Sequence, residues 1–177
     1  PICYMNPQYY FINVSLYQGG SSSGWYAAFG VYSAFQNGTA RSTATQSVKN
    51  QVDTWKNTVN SLSSEAEKVK MIHDLIVQKV DYNTDIYGNS FNEDTAYTQS
   101  VYSVFCMDKT VCAGYAQAFE MMCNGVGVDC IAVTSDDHEW NKVRINDSWY
   151  NVDCTWADQS TIDYEYFERS DAVYDAD

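Results

Sequence analysis

The spacing of apolar residues changes along this chain, and each change marks a different kind of element. Residues 9–17 run Tyr-Tyr-Phe-Ile-Asn-Val-Ser-Leu-Tyr, an aromatic and β-branched stretch with strand character. Residues 19–24 read as a flexible turn, and residues 25–35 follow as a second stretch. Asn37-Gly38 is a strong hairpin signal, with the polar residues 39–45 as a candidate return strand. Beyond it Val48, Val52, Trp55 and Val59 recur at helical spacing and give one apolar stripe. Ser63 or Ser64 can cap a second helix, with Glu65 and Glu67 where the helix dipole favours anions. Its buried face comprises Val69, Ile72, His73, Ile76 and Val80, which makes His73 a core histidine with a local hydrogen bond. Residues 83–105 show no period and read as a long loop with one helical turn. Residues 112–124 are good helix formers, and Gly125 stands where a glycine cap belongs. Residues 128–134 predict a strand, residues 135–137 a polar turn, and the runs 138–145 and 148–153 a β-hairpin about Asn146-Asp147.

No repeat, low-complexity tract or linker interrupts this order, so residues 1–177 read as one domain. A chain of 177 residues with 45% hydrophobic content can bury a real core. No apolar run is long enough to span a bilayer. The chain begins at Pro1 without a charged-then-apolar leader, as expected of a processed or excised part of a longer protein. Its net charge of -13 disfavours nucleic acid and anionic membrane surfaces as partners. The abundance of Tyr, Asn, Ser and Thr over Lys leans toward a secreted or cell-surface location. Six cysteines are too few for a disulfide scaffold. Cys123, Cys130 and Cys154 read as buried thiols, whereas Cys3 and Cys106 are freer to pair.

The chemistry centres on residues 109–119, Lys-Thr-Val-Cys-Ala-Gly-Tyr-Ala-Gln-Ala-Phe. Cys112 falls in the first turn of a helix, where free backbone N–H groups and the dipole favour a thiolate. The same N–H groups can receive the oxyanion formed when sulfur attacks a carbonyl. Gly114 leaves room for a close approach to the backbone. A two-residue turn at Asn146-Asp147 places Trp140 opposite Asp153 and makes His138 its diagonal neighbour on the same face. The hairpin can therefore present an imidazole held by a carboxylate to the thiol, giving nucleophile, base and orienting group as Cys112, His138 and Asp153.

Three ordered motifs carry a family resemblance: Val-Cys-x-Gly-Tyr-Ala at 111–116, His-x-Trp-Asn-x-Val at 138–143, and Trp-Tyr-x-Val-Asp-x-Thr-Trp at 149–156. Together they resemble the transglutaminase-like superfamily over residues 64–170, whose catalytic Cys, His and Asp match Cys112, His138 and Asp153. Residues 1–60, a β-rich N-terminal extension plus a helix, more loosely resemble the segment preceding this core in bacterial secreted members, notably at Asn6-Pro7-Gln8-Tyr9-Tyr10. The resemblance implies an α+β, papain-like fold with a central Cys-bearing helix packed on an antiparallel sheet. It implies acyl transfer on peptide or glutamine amides through a Cys thioester, with protein or peptide substrates, cell-surface or cell-wall peptides among them. A cysteine peptidase or amidase hydrolysing the same thioester is the alternative, and a non-catalytic cell-surface module keeping the fold is a second. A further oxyanion donor upstream of the cysteine is a family feature, for which Tyr97, Gln99 and Tyr102 are candidates by region. Trp140 and Trp156 are candidates to shield the site. The sequence has no EF-hand-like loop and no Cys-x-x-Cys knuckle, so neither metal nor cofactor is expected.

Overall fold

A side-chain cap decides where the first long helix begins, and it corrects the sequence reading there. The computed structural model describes residues 6–22, 24–87 and 93–174. A 3-10 turn at Pro7–Tyr9 leads into an antiparallel pair, β1 (Ile12–Ser21) and β2 (Gly24–Val31). The hairpin expected at Asn37-Gly38, with its return strand over residues 39–45, does not form. The Asn37 side chain instead accepts from the amides of Thr39 and Ala40, at 2.8 and 3.3 Å, and starts α1 (Gly38–Val59). An Asn carbonyl satisfies helix donors that otherwise lack partners. Ala44 then carries the buried stripe of Val48, Trp55 and Val59 further back along the chain.

The second helix, α2 (Glu65–Val77), starts on a capping box between Ser64 and Glu67. Its buried face holds Val69, Ile72, His73, Ile76 and Val77; Val80 is also buried, beyond the last helical turn. Residues 83–105 hold more structure than the single turn expected. They contain 3-10 segments at Thr84–Tyr87 and Glu93–Gln99, then α3 (Val101–Cys106), which Ser100 caps and whose Val101, Val104 and Phe105 are buried. Around them β3 (Asp81–Tyr82) pairs in parallel with β4 (Lys109–Thr110).

The central helix, α4 (Cys112–Gly125), carries Cys112 at its first position. The left-handed residue after it is Gly127, at φ 82°, rather than the expected Gly125. Asn124 holds the turn by bonding the backbone of Cys130 both ways, each at 3.0 Å. There follows a four-stranded antiparallel sheet of β5 (Cys130–Thr134), β6 (Glu139–Ile145), β7 (Ser148–Val152) and β8 (Phe167–Arg169) in that order. The one-turn helix α5 (Cys154–Ala157) separates the last two strands.

The β6–β7 register runs from Asn141 opposite Val152 to Ile145 opposite Ser148, as the Asn146-Asp147 turn implies. Both turn residues have positive φ, 48° and 66°, as a tight two-residue hairpin turn requires. β6 buries alternate residues, Glu139, Asn141, Val143 and Ile145. This inner face meets α4, where the Asn141 side-chain amide donates to the Ala116 carbonyl at 3.0 Å. The core joins Ile72 and Ile76 of α2, Val104 of α3, Phe119 and Met122 of α4, and Val143 of β6. A helix is thus packed on an antiparallel sheet in an α+β fold. Cys123, Cys130 and Cys154 are buried free thiols and Cys106 is half-buried and free, while Cys3 lies outside the described residues. Among the described residues no helix is long and apolar enough to cross a membrane.

Candidate active site

The start of α4 is built to leave backbone donors open. Val111 precedes the helix and offers no side-chain cap. Its carbonyl accepts from the amides of Gly114 and Tyr115, at 2.9 and 3.2 Å, so the Cys112 and Ala113 amides lie ahead of the helical ladder. Gly114 fixes how this turn is seated. A Cβ there would stand 1.9 Å from Thr110 Oγ1, which shares a 2.6 Å hydrogen bond with Ser103 Oγ. The close approach at Gly114 is therefore made by the Thr110 hydroxyl beneath the helix. Deeper anchoring comes from the Tyr115 hydroxyl, which donates to Asp158 Oδ2 at 2.6 Å.

His138 lies just before β6 and Asp153 just after β7, so the paired strands bring the two together. His138 Nε2 is 2.6 Å from Asp153 Oδ2. The other oxygen of Asp153 accepts from the amides of Thr155 and Trp156, at 2.9 and 3.1 Å, and caps α5. That capping role, invisible in the strand pattern, fixes the carboxylate in a fully buried position. With Nε2 taken, Nδ1 is the ring nitrogen left for the Cys112 thiol, which lines the same cavity and lies close enough to raise the imidazole. The structure thus brings Cys112, His138 and Asp153 into one connected group.

Burial alone would pull the His138 imidazole down, but hydrogen bonds to Asp153 and Cys112, reinforced by their charges, raise it to about 10. Its side chain is only 16% exposed. A cavity of about 760 Å³ opens beside the pair, lined by Cys112, Ala113 and His138 and by the carboxylates Glu120, Asp136, Asp137 and Glu139. The sequence reading overlooked Glu120 and Glu139. The available signal was Glu139, a charge on the inward-facing row of a strand that otherwise buries Asn141, Val143 and Ile145.

The two tryptophans assigned by sequence lie at the histidine. Trp140 is nearly parallel to the His138 ring at 6.0 Å and donates from Nε1 to Asn151 Oδ1 at 3.1 Å. Trp156 is nearly parallel to it at 5.1 Å and remains 42% exposed. Tyr102 and Tyr97 sit elsewhere. Tyr102 stacks on Tyr10 at 5.3 Å, and both tyrosines, 97 and 102, meet Phe35 edge-on, which places them in an aromatic cluster between the N-terminal segment and α3. Neither tyrosine lines the cavity, nor does the half-buried Gln99.

A family model described as the transglutaminase-like superfamily matches residues 53–154. Among curated proteins, the Kyphoscoliosis peptidases of Mus musculus and Homo sapiens are each 29% identical over 110 residues. Those matches take in 53% of this chain but 16% of each relative, so the chain spans about a sixth of their length. A crystal structure of a TGase superposes with a TM-score of 0.57, over 96% of this chain and 51% of that one, at 11% identity. At that identity the likeness is one of fold.

Proposed function

The chain belongs to the transglutaminase-like superfamily, a superfamily of cysteine enzymes, and on that footing we propose that it acylates itself at Cys112 on amides of proteins or peptides. One observation carries the reading: His138 is hydrogen-bonded to a buried carboxylate and shares one cavity with the Cys112 thiol, whose proximity helps raise the imidazole. An imidazole held protonated by Asp153 pairs with a Cys112 thiolate. The sulfur attacks the amide carbonyl, and the oxyanion so formed meets the open amides at the start of α4. As the C–N bond breaks, the imidazolium gives its proton to the departing amine and a thioester remains on Cys112. The neutral imidazole then takes a proton from the incoming nucleophile while the C–S bond breaks, which restores thiolate and imidazolium. Asp153 keeps the ring oriented throughout and steadies its charge.

Transfer to an amine and hydrolysis by water share every step up to the thioester. We favour transfer to an amine. Hydrolysis is the second reading, and it draws support from the curated relatives, whose name is that of a peptidase. Mass spectrometry of glutamine peptides incubated with the protein, with and without a primary amine, separates the two. Amine incorporation supports transfer; deamidation or cleavage supports hydrolysis. Cys112→Ala is expected to abolish both, and product formed by that variant would overturn the mechanism.

A further inference from the structure

A second groove, of about 290 Å³, lies where α1 meets the far end of α4 and the N-terminal segment. Thirteen residues of α4 separate Gly125, at this groove, from Cys112, which is about 20 Å by helix rise. No acylation step uses it. Val48 and Val52 of α1, Met121 of α4 and the Tyr10 ring give it apolar walls. The Tyr10 hydroxyl is paired with Thr45 Oγ1 at 3.3 Å, and ring contacts with Phe35 and Tyr102, each at 5.3 Å, hold the ring in place. The charge on the groove is positive. Lys49 and Lys56 line it and, among the described residues, no Asp or Glu does, in a chain with 23 acids against 10 Lys and Arg. Lys49 is tied to Asp53, one turn along α1. Lys56 is half-buried and, among the described residues, its ammonium has neither ion pair nor hydrogen bond.

Gly125 is a second, independent observation. The backbone does not require glycine there: Gly125 belongs to α4, and the left-handed position is Gly127. Packing does not require it either, since a Cβ at Gly125 would meet only the Lys56 side chain, in ordinary contact at 3.7 Å from Cδ and Nζ. A helical glycine gives up stability against alanine. What the missing side chain leaves is open space in the groove wall, beside the Lys56 stem. An apolar pocket of this volume stands close to the about 300 Å³ at which small-molecule sites begin. A free ammonium on apolar walls, without an acid among them, complements one anionic group on an aliphatic body.

We propose that this groove binds a small aliphatic carboxylate, its chain against Val48, Val52 and Met121 and its carboxylate on the Lys56 ammonium. Octanoate is titrated into the protein at neutral pH while the methyl resonances of those three apolar residues are followed by NMR. Octanol and octylammonium serve as neutral and cationic controls. Saturable shifts are expected for octanoate, weaker ones for octanol and none for octylammonium. Lys56→Met keeps an apolar stem without the charge and is expected to weaken octanoate about tenfold, the scale of one charge-assisted hydrogen bond, while octanol is unaffected. Lys68→Met, on α2 outside the groove, removes the same charge and is expected to leave the affinity unchanged. Gly125→Leu fills the open space from a position where leucine favours the helix; it is expected to abolish binding of both octanoate and octanol while thermal melts stay those of a folded protein. The site rests on no step at the thiol, so Cys112→Ala is expected to bind octanoate as the wild type does. Equal affinity for octanoate and octanol, affinity unchanged in both Lys56→Met and Gly125→Leu, or shifts confined to the Cys112 cavity would overturn the site. Tighter binding of acetyl-valyl-leucine than of octanoate would overturn the aliphatic ligand in favour of a peptide C-terminus.

Discussion

His73 and His138 each place one ring nitrogen against an aspartate oxygen, His73 Nδ1 at 3.0 Å from Asp74 Oδ1 and His138 Nε2 at 2.6 Å from Asp153 Oδ2. Their protonation nevertheless diverges. The His73 ring is fully buried on α2, and burial lowers it despite Asp74, helped by the charge of Lys70. Asp74 divides its oxygens among His73, Lys70 and the Tyr164 hydroxyl. At His138 burial also pulls the ring down, but the ring stays 16% exposed, and Asp153 together with the neighbouring thiol outweighs it. An Asp–His contact alone does not make a charged base. What matters is which partner is desolvated and what else the ring touches.

The largest test of this contrast is kinetic. His138→Asn is expected to slow acylation of Cys112 about a thousandfold, within the range of general acid–base catalysis. His73→Ala is expected to leave the chemistry but cost about 3 kcal/mol of folding stability by opening the core beside Phe167. Single-turnover rates and urea unfolding separate the two effects. Asp153→Asn comes next: an about hundredfold loss of acylation rate, with the His138 ring signals titrating back toward the ordinary histidine range by NMR. With two histidines in the chain, the assignment is direct.

Gly114→Ala tests the seat of the sulfur. The new methyl would meet Thr110 Oγ1, so a loss of about 2 kcal/mol is expected. Thr110→Ala in the same chain should restore part of it, as a non-additive double-mutant cycle on thermal melts.

The subtlest effect lies in the pH dependence of stability. His138 binds its proton more tightly folded than unfolded. Its contribution is therefore complete below about pH 6.5 and is lost as pH rises toward about 10. His73 is lowered by folding, so its contribution is complete above about pH 6.5 and is lost as pH falls below that value. Asp153→Asn should flatten the alkaline limb of the urea midpoint against pH, and His73→Ala the acid limb.

Two Asn-initiated turns show how far the sequence could be read. Asn146-Asp147 lies between two aromatic and β-branched runs that pair, so its hairpin register follows and brings His138 to Asp153. Asn37-Gly38 carries the stronger hairpin signal, but residues 39–45 are polar and helix-competent, and the Asn side chain caps α1 instead. Local turn chemistry was legible in both places; the fate of the next residues depended on tertiary burial of Ala44 and Val48. Cys112 at a helix start was readable from helix formers and the lack of an apolar interruption. The cavity acids were not. Glu120 and Glu139 come from a helix and a strand distant in sequence, and only their packing shows that both face the same cavity. Tyr102 illustrates the opposite limit, since proximity in sequence to Cys112 did not foretell its place against Tyr10 and Phe35.

The most direct measurement is the intact mass of the protein, rapidly quenched in acid after mixing with an activated glutamine peptide ester, followed by peptide mapping. The expected result is one added acyl group on the peptide containing Cys112 in the wild type and in His73→Ala, strongly slowed in His138→Asn. An adduct mapping to another residue, or one that persists in Cys112→Ala, would contradict the assignment of Cys112, His138 and Asp153.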